Sequence, residues 1–342
     1  DCLKKFKKKL NGNKLLVINA GNANAGTGLA GEKDLELLLN SLSSMTGVEI
    51  KNILPFSTGV IGERLKIKSL TSAFEECSKS LKKNNFNNLA TSIMTTDKKV
   101  KISKKVVKIG NKKFSILGVA KGVGMIEPNM ATTLSFVFTD LKIAESSLKK
   151  IHKSICNETF NSISIDGDQS PSDSSILVAT GKNLINSSKL LQTFKKSLEV
   201  VFTELSEKLL LDGEGATKLI EIEVSGLKSK TACKEVAKKI ANSPLLKTAA
   251  YGEDPNWGRI LSAAGNTKHK FLAKNVSIKI GQIKVLNKGE IHKKYREALG
   301  KKEFKKQRIS LAVNLGPSKH CAKVKSSDLT HEYVSINSDY RS

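Results

Sequence analysis

The stretch Lys121-Gly-Val-Gly-Met-Ile-Glu-Pro-Asn-Met-Ala-Thr-Thr-Leu-Ser-Phe-Val-Phe-Thr-Asp140 gathers amine, carboxyl and hydroxyl side chains around one turn-rich segment. Two glycines and a proline make 122–128 a loop. The apolar, β-branched and aromatic run 132–139 reads as a buried strand. A threonine therefore stands where irregular backbone enters a strand. A Thr hydroxyl is a weak nucleophile at neutral pH and needs an adjacent base. On spacing alone, Thr132 and Thr133 read as ordinary strand residues. Four further polar loops invite comparison with known chemistry. Phe56-Ser-Thr-Gly-Val-Ile-Gly-Glu63 offers Ser57 or Thr58 as a helix N-cap. Ser92-Ile-Met-Thr-Thr-Asp97 reads as a strand end with an Asx turn at Asp97. Asp166-Gly-Asp-Gln-Ser-Pro-Ser-Asp173 lacks the spaced ligands and terminal Glu of an EF-hand loop and reads as structure. Leu211-Asp-Gly-Glu-Gly-Ala-Thr-Lys218 is not a P-loop, because G-x-x-x-x-G-K-[ST] is missing. Gly26-Thr-Gly28-Leu-Ala-Gly31 is a literal G-x-G-x-x-G, but it begins half a loop after its strand. The next apolar run, 50–54, ends in Pro55 rather than an acid, which argues against a dinucleotide site.

Read together, these segments resemble the glutamate N-acetyltransferase / ornithine acetyltransferase family. The resemblance rests on Lys121-Gly-x-Gly-Met-Ile-x-Pro-Asn-Met-Ala-Thr132, Asn19-Ala-Gly-Asn-Ala-Asn-Ala25, the Thr58-Gly59 pair and Met94-Thr-Thr-Asp97. It extends through Asp212-Gly-Glu-Gly-Ala-Thr-Lys218, Ser243-Pro-Leu-Leu-Lys-Thr-Ala249, Asp254-Pro-Asn-Trp-Gly-Arg-Ile260 and the tail 329–342. The resemblance implies a precursor cut between Ala131 and Thr132, giving an α chain, 1–131, and a β chain, 132–342. Thr132 becomes the first residue of the new chain and the nucleophile. A freed α-amino group has a pKa of about 7.7–8.0, so the cut places a base beside the hydroxyl. Thr58 and Gly59 take the oxyanion-hole role: a glycine lets its N–H approach closely, and a hydroxyl donates a second bond to the developing charge. Thr95, Lys121, Thr132, Glu214, Asn337 and Ser342 take substrate-binding roles. Asn256 and Arg259 either hold the site or position a turn.

The implied reaction is ping-pong acetyl transfer from N2-acetylornithine to glutamate through acetyl-Thr132, in arginine biosynthesis. Some members of the family also use acetyl-CoA as donor, and the residues leave open whether this chain does. No cofactor or metal is expected. The alternative is a self-processing aminopeptidase or amidase that uses the same Thr with water as acceptor. The implied fold is α/β, a mixed-sheet sandwich between helices of N-terminal-nucleophile-like type. Residues from about 1 to 225 form the core. A smaller C-terminal αβ domain spans about 226–342, and its tail returns to the site. The two cleaved chains are expected to pair as α2β2. Because the family carries several tens of residues ahead of this point, an N-terminally incomplete sequence is expected.

Composition fits such an enzyme. The 342 residues are 39% hydrophobic, ample for a large core. No apolar run reaches membrane-spanning length, and the basic start Asp1–Lys9 is not followed by the apolar core of a signal peptide. The formal charge is +26, but only five of the 58 basic residues are Arg, the favoured reader of bases and phosphates. A dispersed, solvated Lys surface is the reading, without nucleic-acid or membrane partners. Five scattered cysteines and five histidines without H-E-x-x-H spacing argue against a disulfide framework or zinc site and fit a reducing cytoplasm. The chain-order pattern predicts strands at 14–20, 162–165, 176–180 and 220–224. It predicts a hairpin with 105–109 and 114–119 around Gly110-Asn111. Helices are predicted at 35–45, 65–81, 141–160, 187–210 and near 290–299.

Overall fold

The computed structural model describes residues 12–81, 85–110, 112–127, 133–184 and 187–339. Ala131, Thr132 and Ser342 lie outside these, as does Asn111 of the expected hairpin turn. The first strands, β1 (Leu15–Asn22) and β2 (Ile53–Val60), pair in parallel, with Leu15 opposite Ile53 and Asn22 opposite Val60. The helix between them, α1 (Gly28–Thr46), ends where Gly47 turns left-handed at φ 69°, a conformation that costs little without a Cβ. Its Leu38, Leu39 and Leu42 are buried with Val17 and Ile53. Two further helices follow, α2 (Ile67–Lys79) and α3 (Phe86–Ser92).

The middle of the chain runs β3 (Lys101–Ile109), β4 (Lys112–Lys121), β5 (Leu134–Lys142), α4 (Glu145–Glu158), β6 (Ile163–Ser164), β7 (Ser174–Leu184) and α5 (Ser188–Leu211). Four of these strands form a sheet in the order β3-β4-β5-β7, antiparallel except for the parallel β5–β7 pair. Ser187 starts α5 by accepting the Leu190 N–H at 3.2 Å. Phe194, Leu198, Val201, Phe202, Leu205 and Leu209 recur at helical spacing and are fully buried. Each contributes about 1.5–3 kcal/mol of burial. Gly118 in β4 lets this helix close onto the sheet, since a Cβ there would stand 2.6 Å from Leu205 Cδ1.

The last part supplies β8 (Leu219–Gly226), α6 (Lys230–Ala241), α7 (Pro244–Tyr251), α8 (Trp257–Gly265), β9 (Ser277–Ile280), β10 (Ile283–Asn287) and β11 (Glu290–Ile291). It closes with α9 (Glu297–Phe304), β12 (Arg308–Asn314), β13 (Ser318–Ser327) and α10 (His331–Ser338). A seven-stranded sheet runs β11-β10-β9-β12-β8-β13-β6. In it β12 is parallel to β8, whereas β13 is antiparallel to β8 and parallel to β6. The alternation of β8 buries Ile220, Ile222 and Val224 with Val236, Ala237 and Ile240 of α6. The result is α/β, mixed sheets packed with helices, as expected. Among the described residues no helix is long and apolar enough to cross a membrane.

Several local expectations give way to sheet pairing. Leu141 and Lys142 extend β5 opposite Asn183 and Leu184 instead of opening a helix, so α4 begins only at Glu145. Ser57 and Thr58 lie inside β2 and cap nothing. The segment before Asp97 is no strand: helix α3 ends at Ser92 and 93–96 are irregular, and Asp97 accepts the N–H of Thr95, two residues back, which is not an Asx turn. Near 290–299, Gly289 at φ 83° turns the chain into the short β10–β11 pair, and the helix starts at Glu297. In α2 Ile67, Leu70 and Phe74 meet the core, whereas Cys77, and Leu81 just beyond the helix, are exposed.

Lys247 of α7 is 4% exposed, and its ammonium donates to Ser326 Oγ at 3.2 Å, Ser327 Oγ at 3.4 Å and the Ser327 carbonyl. Burial pushes its pKa down to about 8, against the pull of Asp328 and Asp166. The unfolded chain binds the proton up to about 10.4, so between about pH 8 and 10 it holds more protons there than the folded chain does. The stability tied to this residue therefore rises with pH across that window. The stability of Lys247→Met relative to the parent should accordingly fall by roughly 3 kcal/mol from pH 7 to above pH 10, measured by denaturant midpoints. A pH-independent difference would show that the buried ammonium carries no such linkage.

Candidate active site

A cavity of about 330 Å³ opens where the ends of β2, β4 and β5 meet the loop 212–217 and α10. Thr58, Gly59, Thr95, Lys121, Glu214 and Asn337, all nominated by sequence, line it together with Thr133. Thr58 and Gly59 arrive at the end of β2. Gly59 has φ 125°, and a Cβ there would stand 2.3 Å from the Gly21 carbonyl, so only glycine lets the two backbones run this close. Lys121 ends β4. It is 7% exposed and donates to Thr58 Oγ1 at 3.1 Å and Thr95 Oγ1 at 2.9 Å. Burial lowers its pKa, with Lys101 adding to the effect and Asp97, Asp173 and Glu214 opposing it.

Glu214 is 8% exposed, and its carboxylate faces the cavity across Gly124, where a Cβ would stand 2.6 Å from Glu214 Oε2. Its Oε1 accepts from Thr96 Oγ1 at 3.1 Å and its Oε2 from Asn337 Nδ2 at 2.9 Å. Each oxygen keeps a further lone pair for a cationic amino group. Asn337 comes from α10, which Thr330 starts by accepting the Tyr333 N–H and which Thr330 Oγ1 also ties to the Gly215 carbonyl at 2.8 Å. The described part of the tail is therefore tied to the site rather than hanging free. Asn256 and Arg259 do not line the cavity. Asn256 caps α8 through the Arg259 N–H, and Arg259 Nη1 donates to the Leu245 carbonyl at 2.7 Å, so this pair positions a turn.

A family model described as ArgJ family matches residues 2–342. The chain belongs to the ArgJ family. The Arginine biosynthesis bifunctional protein ArgJ of Bradyrhizobium diazoefficiens is 41% identical over 344 residues, covering 98% of this chain and 83% of that protein. The protein of the same name from Pseudomonas fluorescens is 36% identical, with 98% and 84% covered. A crystal structure of arginine biosynthesis bifunctional protein argJ from Bacillus halodurans matches with a TM-score of 0.55 at 35% identity. It covers 58% of this chain and 95% of that one.

Around the cavity, this ArgJ-family chain carries a support that its sequence did not disclose. Lys101, only 1% exposed, donates to Asp97 Oδ1 and Asp212 Oδ2, both at 2.6 Å. Asp97 also accepts the Gly122 N–H at 2.8 Å and the Thr95 N–H at 3.2 Å. Asp212 accepts the N–H groups of Lys98 and Lys99, each at 3.1 Å. Burial alone would raise the pKa of Asp97, but the Lys101 charge and hydrogen bond and the Gly122 N–H hold it below 3.8. Nothing in the sequence singled out Lys101, which lies ahead of the expected hairpin strand 105–109. The sequence clue, an Asp four residues before it, is common. Removing the cation leaves two buried carboxylates facing each other, a change that costs about 3–5 kcal/mol. Lys101→Met should lose stability of that order at pH 7. The loss should shrink as pH falls through 3.8, because without the cation burial lets Asp97 take up its proton above that value, whereas in the parent it does so only below it. A fully stable variant at pH 7 would show that the triad is dispensable.

Proposed function

We propose that this chain transfers an acetyl group from N2-acetylornithine to glutamate, in arginine biosynthesis, through an acetyl-Thr132 intermediate. The observation that carries the reading is convergence. Six residues nominated from separate segments share one cavity with Thr133, the residue that follows Thr132. The names of the relatives point to the same pathway. The Bacillus halodurans chain corresponds to 58% of this one, about the share that residues 132–342 make up.

The chemistry begins with maturation. Thr132 Oγ adds to the Ala131 carbonyl carbon, the C–N bond breaks, and the departing amine takes the hydroxyl proton. Water then hydrolyses the ester, leaving a carboxylate on Ala131 and a free amine and hydroxyl on Thr132. In turnover that amine takes the Oγ proton as Oγ attacks the acetyl carbonyl. The oxyanion is met by the Thr58 hydroxyl and the Gly59 N–H. Collapse expels the ornithine amine, which takes the proton, and the glutamate amine repeats the sequence in reverse on acetyl-Thr132. The Lys121–Thr58 bond supports this assignment. Because Thr58 Oγ1 accepts from an ammonium, its own proton is directed elsewhere, and a hydroxyl that accepts from a cation is a stronger donor. The Glu214 carboxylate suits the amino group of either substrate, and Thr95, Asn337 and Ser342 complete the binding set. Acetyl-CoA as a second donor and an α2β2 assembly of the two pieces belong to the same proposal.

Two measurements test it. Expressed whole, the chain should run on a denaturing gel as two pieces, 1–131 and 132–342, with Thr132 as the new N-terminus. Thr132→Ala should abolish both the cut and acetyl transfer, Thr132→Ser should retain some of each, and Thr133→Ala should still cut. An intact single chain with full activity would sink the mechanism.

Thr58→Ala should lower kcat by about 10²–10³, the usual loss for one oxyanion donor. The pH profile of the parent should rise as the Thr132 amine loses its proton near 7.7–8.0. It should fall again below the ordinary lysine value of 10.5, where Lys121 loses the charge that orients Thr58. Unchanged turnover in the variant would remove Thr58 from the reaction.

A further inference from the structure

Asp166 and Asp173 stand at the two ends of the loop that joins β6 to β7, outside the roles assigned so far. Each uses both carboxylate oxygens on main-chain N–H groups. Asp166 accepts the Met125 N–H on Oδ2 at 2.7 Å and the Ile126 N–H on Oδ1 at 2.9 Å. Asp173 accepts the Thr133 N–H on Oδ1 and the Ser170 N–H on Oδ2, the latter at 2.8 Å. The backbone of the same region adds three bonds: Glu127 N–H to the Asp168 carbonyl at 2.8 Å, Ile165 N–H to the Ile126 carbonyl at 2.7 Å, and Ser174 N–H to the Thr133 carbonyl at 2.8 Å. Residues 125–127 precede the Ala131–Thr132 bond and Thr133 follows it. One loop therefore grips the chain on both sides of that bond.

The gripped residues are strained. Met125 has φ 50°, and Thr133, a β-branched residue, has φ 110°, a region such side chains rarely enter. Conformations of this kind persist only where the surroundings over-determine them, and here the two carboxylates do so. From this geometry we propose that Asp166 and Asp173 are positioning residues for the self-cleavage at Ala131–Thr132. They hold residues 125–127 on one side of it and Thr133 on the other, which restricts the freedom of the connection that carries the reacting bond. The proposal rests on the cleavage reading given above and adds to it the groups that set up the attack. Its covalent step is the one already written, with water as the only co-reactant. Asparagine is the discriminating replacement. It has the same shape, but it offers one acceptor oxygen and turns an NH₂ group toward an N–H donor, so it cannot satisfy both main-chain amides.

The experiment follows the cut in full-length parent, Asp166→Asn, Asp173→Asn and Asp168→Asn chains by denaturing gel and piece masses over time after synthesis. Thermal midpoints are measured alongside. Asp168 is the control, because the loop grips residue 127 through its carbonyl and not its side chain. The expected result is cutting slowed on the order of tenfold to a hundredfold in Asp166→Asn and Asp173→Asn, the effect of a displaced reacting pair. The Asp168→Asn chain should cut at the parental rate. A merely structural role would lower the thermal midpoints and leave the cutting rate alone, and that outcome overturns the proposal. If one variant fails to fold, the other decides; loss of the folded chain in both overturns it too, since a folded, uncut chain is required. A parent that cuts, with variants that keep pace, refutes this proposal and leaves the acetyl-transfer reading standing. A parent that is active yet never cuts refutes both.

Discussion

The buried ammonium of Lys101 between Asp97 and Asp212 is the interaction on which the arrangement of the cavity depends. Burying three charges is expensive, and such a group contributes little net stability compared with apolar packing. What it supplies is position. Through Asp97 it fixes the Gly122 N–H at the end of β4, and hence Lys121 beside it. Through Asp212 it fixes the 98–99 turn, and two residues farther along the chain Glu214 faces the cavity. Cavity-lining groups of opposite charge are thus set by one hidden cation. Each carboxylate of the triad also accepts at least two main-chain N–H groups, so the loops cannot drift independently.

Close backbone approach is the second constraint. Gly59 against Gly21 and Gly124 against Glu214 each leave no room for a Cβ. A cavity lined this way presents main-chain amides and a carboxylate at short range, which a wall of side chains could not do. Behind it, His152 forms part of a neutral polar island, bonded to Ser175 at 2.9 Å, while Ser175 and Ser135 join β7 to β5 at 2.9 Å. Burial pushes the His152 pKa down to about 4, so that island adds no charge near neutral pH.

Much of this was legible in the sequence because it sits in short, rigid signatures. Thr58-Gly59, Lys121, Glu214 and Asn337 were all nominated from motifs, and the structure brings them to one place. Elements with strong periodicity, such as α5 and β8, fell where the pattern placed them. Boundaries failed where pairing partners decide the outcome, as at Leu141 and Lys142, whose strand continues because β7 lies alongside. Long-range charge pairs failed altogether. Lys101 and Asp212 are 111 residues apart, and nothing local marks one lysine in a Lys-rich hairpin as the buried one. Asp166 and Asp173 were visible as an acidic loop, but their use on the backbone of distant residues was not.

The pairing of β4 with β5 has a consequence for how the molecule is made. These neighbours in the sheet, with Lys121 opposite Leu134, are joined by the connection 122–133. While that connection is continuous, bringing the strands together costs only the closure of a short loop. Were it broken by the proposed cut, the same ladder would have to be rebuilt by two separate polypeptides meeting in solution. Assembly would then become concentration-dependent, and the native state would persist through slow unfolding rather than by ready return from the denatured state. A protein cut as proposed would be built once, as a single thread, and would afterwards survive by not coming apart.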